Sequence, residues 1–212
     1  MTEFEIASAI ENYVTSHRGV TDFPLSIRQI RDEVDTTRLR FLDDTERADK
    51  GIVSLNPYTQ TLTIETEKDK TGIFVEVPEM HYLQSGKLAC LYIGSVTSKT
   101  PFKIVTSNRS LWAEYDMYSG KMPTAIYSSG IIRFKNVVPK EIFIEAVFKK
   151  PSELRPYGYD WKQTQYPAPY GIIDKIIGKT AESYLRTRQP AVPQPNTQSD
   201  IDTQGGQQLK QI

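Results

Sequence analysis

The hydrophobic period of this chain changes twice along its 212 residues, and that constrains the fold more than any other feature. Apolar residues recur every three or four positions up to about Asp44. They recur every second position between Gly51 and Lys150, and every three or four again from Pro169. A helical stripe cannot sit as a strand, nor a strand's alternation as a helix. The expected order is therefore a helix pair, a β region and a last helix.

Residues 2–18 read as the first helix, with Ile6, Ile10, Tyr13, Val14 and His17 at helical spacing and Gly19 placed to close it. After a turn at Val20–Leu25, Ser26 is a good N-cap with Gln29 three positions on. Ile27, Ile30, Val34, Thr37 and Phe41 then form one stripe on a second helix that is expected to end near Asp43 or Asp44. A loop this short predicts an antiparallel helical hairpin. Arg28–Asp32 and Arg31–Asp35 are placed to pair across its solvated face.

In the middle region, Leu62–Glu65, Gly72–Val77, Leu88–Val96, Phe102–Thr106, Leu111–Tyr115, Ala125–Ser128, Ile131–Lys135 and Ile142–Phe148 are short β-branched or aromatic runs. Turn residues punctuate them and no helix-length segment interrupts, which predicts an antiparallel sandwich or barrel-like domain. In the last run, Ile142, Ile144, Ala146 and Phe148 share one face, and Phe143, Glu145 and Val147 the other. A crossing rich in Tyr157, Tyr159, Trp161 and Tyr166 follows, its prolines forbidding regular structure for much of its length. The final helix starts near Pro169, buries Tyr170, Ile173, Ile177, Ala181 and Tyr184 with Ile172, Ile176 and Leu185 widening that side, and carries Gly178 as an expected packing contact.

The predicted class is α+β: a helical bundle from the N-terminal pair and the C-terminal helix, with an inserted antiparallel β domain and a polar tail. Its parts are a helical hairpin over 1–50, the β domain over 51–150, the crossing and last helix over 151–186, and the tail over 187–212. The tail holds seven glutamines, three prolines and no aromatic residue, a composition expected to order only on a partner.

Charge and motifs exclude more than they assign. The 26 basic and 26 acidic residues balance, which argues against a chain held to nucleic acid by a net positive field. Arg28, Arg31, Arg38 and Arg40 share their helix with Asp32, Glu33, Asp35 and Asp43, which argues against a DNA-recognition helix. The lone Cys90 sits among apolar neighbours as a small hydrophobe. His17 is expected to bond a terminal helix carbonyl and His81 to play a surface role. Asp43, Asp44, Glu46 and Asp49 lack the spacing of a calcium loop and read as a solvated helix exit. Phosphate-loop, zinc and nucleophile-elbow motifs are missing, so no catalytic, metal or cofactor residues are assigned. Trp112, Glu114 and Asp116 put carboxylates beside aromatics, and a carbohydrate-binding or carbohydrate-cleaving module is the alternative. The start of the chain lacks a signal-peptide pattern, and no run reaches the ~18 apolar residues of a membrane span, so the chain is expected to be cytosolic when made.

Three segments carry a resemblance. They are Leu25–Leu42 (LSIRQIRDEVDTTRLRFL), Phe143–Leu154 (FIEAVFKKPSEL) and Tyr166–Tyr170 (YPAPY). In this order, separated by a β region, they resemble ring-forming head-to-tail connector proteins of crAss-like and related tailed bacteriophages. In architecture the chain is also similar to adaptor or tail-tubular proteins of short-tailed phages. The resemblance spans roughly residues 5–186 and leaves the tail unmatched. It implies a non-enzymatic virion protein, made in the host cytoplasm, that forms a twelve-fold ring at the portal. Its implied partners are copies of itself, the portal protein, neighbouring tail ring proteins, and genomic DNA passing through without sequence-specific binding; no membrane is implied. Candidate subunit contacts are Ile27, Ile30, Val34, Phe41, Tyr157, Tyr159, Trp161, Tyr166, Tyr170, Ile173, Ile177 and Gly178. The aromatics of the crossing suit either a subunit contact or a strap over the protein's own sheet.

Overall fold

A computed structural model describes residues 1–18, 26–48, 54–97, 100–106 and 121–186. The predicted strand Leu111–Tyr115, the carbohydrate candidates Trp112, Glu114 and Asp116, the turns at Gly19–Leu25 and the tail 187–212 lie outside the described residues.

Among the described residues, three α-helices and two sheets make a mixed α+β chain. Helix α1 spans Glu3–Arg18. Its start is a reciprocal capping box, in which the Thr2 N–H donates to Glu5 Oε2 (2.9 Å) and the Glu5 N–H to Thr2 Oγ1 (3.2 Å). Helix α2 spans Ile27–Ala48, past the expected end, because Leu42 and Glu46 extend its buried face. Helix α3 spans Tyr170–Arg186. Its buried stripe keeps Ile173, Ile176 and Ala181 of the expected side, adds Thr180 and leaves out Tyr170. Ile173, Ile176, Thr180 and Ala181 face inward, while Tyr170 is 81% exposed. The three helices share a core built on Ile6, Ile10, Val14, Ile30, Val34, Ile173 and Ile176.

The β region forms two sheets. In the first, β1 (Gln60–Glu65) and β4 (Cys90–Ser95) flank β8 (Glu141–Ala146), all antiparallel. The second orders β2 (Glu67–Asp69), β3 (Gly72–Glu76), β7 (Ile131–Lys135), β6 (Thr124–Ser128) and β5 (Lys103–Thr106). The expectation of purely antiparallel pairing is corrected here: β5 and β6 run parallel. Parallel neighbours cannot be joined by a tight hairpin turn. Inner faces of both sheets, among them Leu62, Ile93, Ile144, Tyr127, Ile132 and Phe134, meet in one core.

The end of β8 explains how helices and sheets are joined. Ile142, Ile144 and Ala146 face the sheet core, as alternation predicts. Val147, on the opposite face, is also fully buried. It packs with Leu42, Leu55, Tyr58, Leu83 and Ala89 in a third core beneath α2. Residues Pro151–Tyr157 then wind into a 3-10 helix, where prolines had suggested little regular structure, and Gly158 stops it at φ +95°. The crossing returns against the start of the chain. The Phe4 N–H donates to the Trp161 carbonyl (3.1 Å) and the Tyr166 N–H to the Met1 carbonyl (3.0 Å).

Candidate functional site

Charged residues of α1 and α2 meet the crossing in a buried polar junction. Glu3, Asp35 and Arg38 are each at most 3% exposed. Arg38 reaches from α2 to the far side of the junction. Its Nη2 donates to the Phe148 carbonyl (2.5 Å) and the Lys149 carbonyl (3.4 Å), and its Nη1 to the Pro167 carbonyl (3.4 Å). Its Nε is buried without a hydrogen-bond partner. The guanidinium also stands 5.6 Å from the Tyr166 ring centroid.

Two tyrosines of the crossing donate into the carboxylates of the helices. The Tyr166 hydroxyl donates to Asp35 Oδ1 (2.7 Å) and the Tyr159 hydroxyl to Glu3 Oε2 (3.2 Å). Glu3 in turn pairs with Arg31, which lies over the Trp161 ring at 4.6 Å. Burial pushes Asp35 up to about 7, against the opposing pull of Arg38 and the Tyr166 hydrogen bond. Burial likewise holds both tyrosines well above the ordinary phenol value, with the neighbouring carboxylates adding to it. Charges this deep are kept by partners rather than by water. The junction therefore works as a latch between chain segments.

Beside the latch lies a groove of about 610 Å³. One wall is the crossing, with Tyr157, Tyr159, Tyr166, Pro167 and Pro169, and the first residue of α3, Tyr170. The other is the outer edge of the first sheet, with Pro57, Gln60 and Thr61. Both amide atoms of the Gln60 side chain are buried and unpartnered. A second cleft of about 590 Å³ between α2 and α3 carries Glu33, Arg40, Asp44, Lys179 and Glu182, charges of both signs.

The candidate contacts divide by burial. Ile30, Val34, Tyr159, Tyr166 and Ile173 are buried inside the chain itself, because α1 and α3 cover the stripe of α2 and the latch draws in the tyrosines. Those five serve internal packing. Phe41, Trp161, Ile177 and Gly178 are half-buried, and Ile27, Tyr157 and Tyr170 are exposed. Gly178 has no atom within 4 Å of where a Cβ would stand, so within the chain it is no packing contact.

Other expectations change in detail. Asp35 was expected on a solvated face with Arg31; it is buried, and Arg31 bonds Glu3 instead. His81 is buried rather than superficial, its Nε2 lying 2.9 Å from Asp43 Oδ1. Glu46 is buried too, so the end of α2 is no simple solvated exit. His17 Nδ1 lies 2.9 Å from the Tyr13 carbonyl, one turn back from the terminus. Cys90 is half-buried and its thiol is pushed up to about 12 by burial, which suits a packing role.

Among the described residues no three His, Cys, Asp or Glu side chains are grouped as a metal would require, and no helix is long and apolar enough to cross a membrane. The latch went unread because Asp35 and Arg38 are charged residues at buried helical positions. Their only signal is phase, since Arg31, Asp35, Arg38 and Leu42 follow at steps of four, three and four. No family model matches the chain, and no curated protein matches it.

Proposed function

We propose that this chain is a non-enzymatic structural subunit of a tailed-phage virion, closing head-to-tail into a ring, twelve-fold by resemblance, at the portal. One observation carries the reading. The three segments on which the resemblance rests converge on Arg38, which belongs to the first, binds Phe148 and Lys149 carbonyls of the second, and binds the Pro167 carbonyl of the third. Motifs distant in sequence thus serve one joint, which holds the helices to the β region and returns the chain to its start.

A latch of this kind suits a subunit that must keep a fixed shape under the load of a packaged genome. In this reading the helices form the wall between subunits, as a bundle, and the β region is an inserted sandwich that receives the next ring. Closure by rotation needs two different surfaces on each copy. The exposed Tyr157 and Tyr170 beside the groove, and the charged cleft on the opposite flank of α3, supply candidates. The zero net charge suits a channel that passes DNA without gripping it.

Negative-stain imaging of purified portal incubated with the full chain tests the proposal. Portal particles capped by an added ring are expected. Bare portals beside unassembled chain, at concentrations well above those of assembly, would contradict it.

A further inference from the structure

We propose that the groove between β1 and the aromatic crossing receives the segment Pro190-Ala191-Val192-Pro193-Gln194-Pro195 of a second copy of this chain. The inference rests on the subunit reading above and specifies the contact by which one copy holds the next.

The chemistry of groove and segment match. Proline-rich segments dock on aromatic-lined grooves because they are stiff before binding and present flat apolar rings. Here Tyr157 and Tyr170 are 42% and 81% exposed at the groove, beside Pro57 and Pro169. With three residues per turn in a polyproline helix, Pro190 and Pro193 fall on the same edge and meet one wall together. Such a helix has no internal hydrogen bonds, so its carbonyls are free to accept. The unpartnered Gln60 amide lies buried in the sheet-side wall, and becomes a donor for one of them once that side chain turns into the groove.

Chain length selects another copy as the donor. Helix α3 contributes only Tyr170 to the groove and then leads away from it to Arg186. At about 1.5 Å per residue that end stands about 24 Å from Tyr170. Pro190 follows Arg186 by four residues, which reach at most about 14 Å fully extended. Pro190 therefore stops about 10 Å short of Tyr170, and the segment cannot lie in its own groove along its whole length. A neighbour's groove meets the requirement, and a contact given by one copy and taken by the next is heterologous, as a ring needs.

The test uses full-length chain carrying Pro190→Ala and Pro193→Ala, so that its own tail does not compete. A fluorescent peptide covering 188–198 is added and followed by anisotropy. Binding is expected to weaken at least tenfold when all three prolines of the peptide, Pro190, Pro193 and Pro195, are alanine. The same loss is expected when Tyr157→Ala and Tyr170→Ala are added to the protein, with its unfolding temperature unchanged. A photo-crosslinker at position 192 of full-length chain, mixed with isotope-labelled copies, should mark residues 157–170 of another copy. Equal binding of the proline-free peptide, or crosslinks confined to one copy or lying outside the groove, would overturn the proposal. Portal-capping rings that form without groove crosslinks sink this contact and leave the subunit reading standing. Peptide binding without rings does the reverse.

Discussion

At the level of single residues, Asp35 and Arg38 decide how the chain is held together, and each makes a measurable prediction. Burial raises Asp35 from 3.8 to about 7. Between those values the folded chain holds a proton that the unfolded chain has released. Stability from this group therefore falls as pH rises from about 4 to about 7, and the full penalty applies above that. Asp35→Asn removes the titration. Urea unfolding at pH 5 and pH 8 should show a loss on the order of a few kcal/mol across that interval in the wild type, and a smaller one in the variant. Arg38→Ala leaves three backbone carbonyls without this donor and Asp35 without the cation that acts on it most strongly. It should cost about 3 kcal/mol or more by the same measurement, since breaking a buried charge cluster from one side strands the other. These two residues were not legible in the sequence. A polarity-based reading assigns charge to solvent, and here charge sits where the helical phase points inward.

Elements were far more legible, for a physical reason. The starts of α1 and α3 follow from local chemistry, a Thr2–Glu5 capping box and a proline just ahead of Tyr170. Strands β3, β6, β7 and β8 follow from alternation, which burial on one face imposes. Strand β2, Glu67–Asp69, was missed because all three residues are exposed and carry no apolar alternation. The parallel β5–β6 pair was missed because alternation fixes faces and says nothing of strand direction. Two glycines test the elements from opposite sides. Gly130, at φ +81°, closes the β6–β7 hairpin, and an added Cβ would stand 3.1 Å from the Val77 carbonyl oxygen. Gly130→Ala should therefore destabilise by about 1 kcal/mol or more in thermal unfolding. Gly178 lies inside α3 with open space around it, so Gly178→Ala should stabilise the free subunit by about 0.5–1 kcal/mol.

For the whole molecule, the crossing matters more than either half it joins. It pairs with the first residues of the chain through Thr2 and Gln165 and donates its tyrosines to the helices. It also forms one wall of the groove, so internal strap and surface contact are both built from its aromatics. Tyr159 and Tyr166 take the first role, Tyr157 and the adjoining Tyr170 the second. Ending the chain at Arg186 should leave the fold intact, because it keeps every residue of the helical core found among the described residues, and should weaken assembly. The direct measurement is mass photometry of the full chain titrated against purified portal. A discrete particle gaining a whole number of 24.2 kDa subunits, constant over the titration's plateau, is the predicted result. Single-subunit mass at every ratio, with the portal peak unmoved, would contradict the ring.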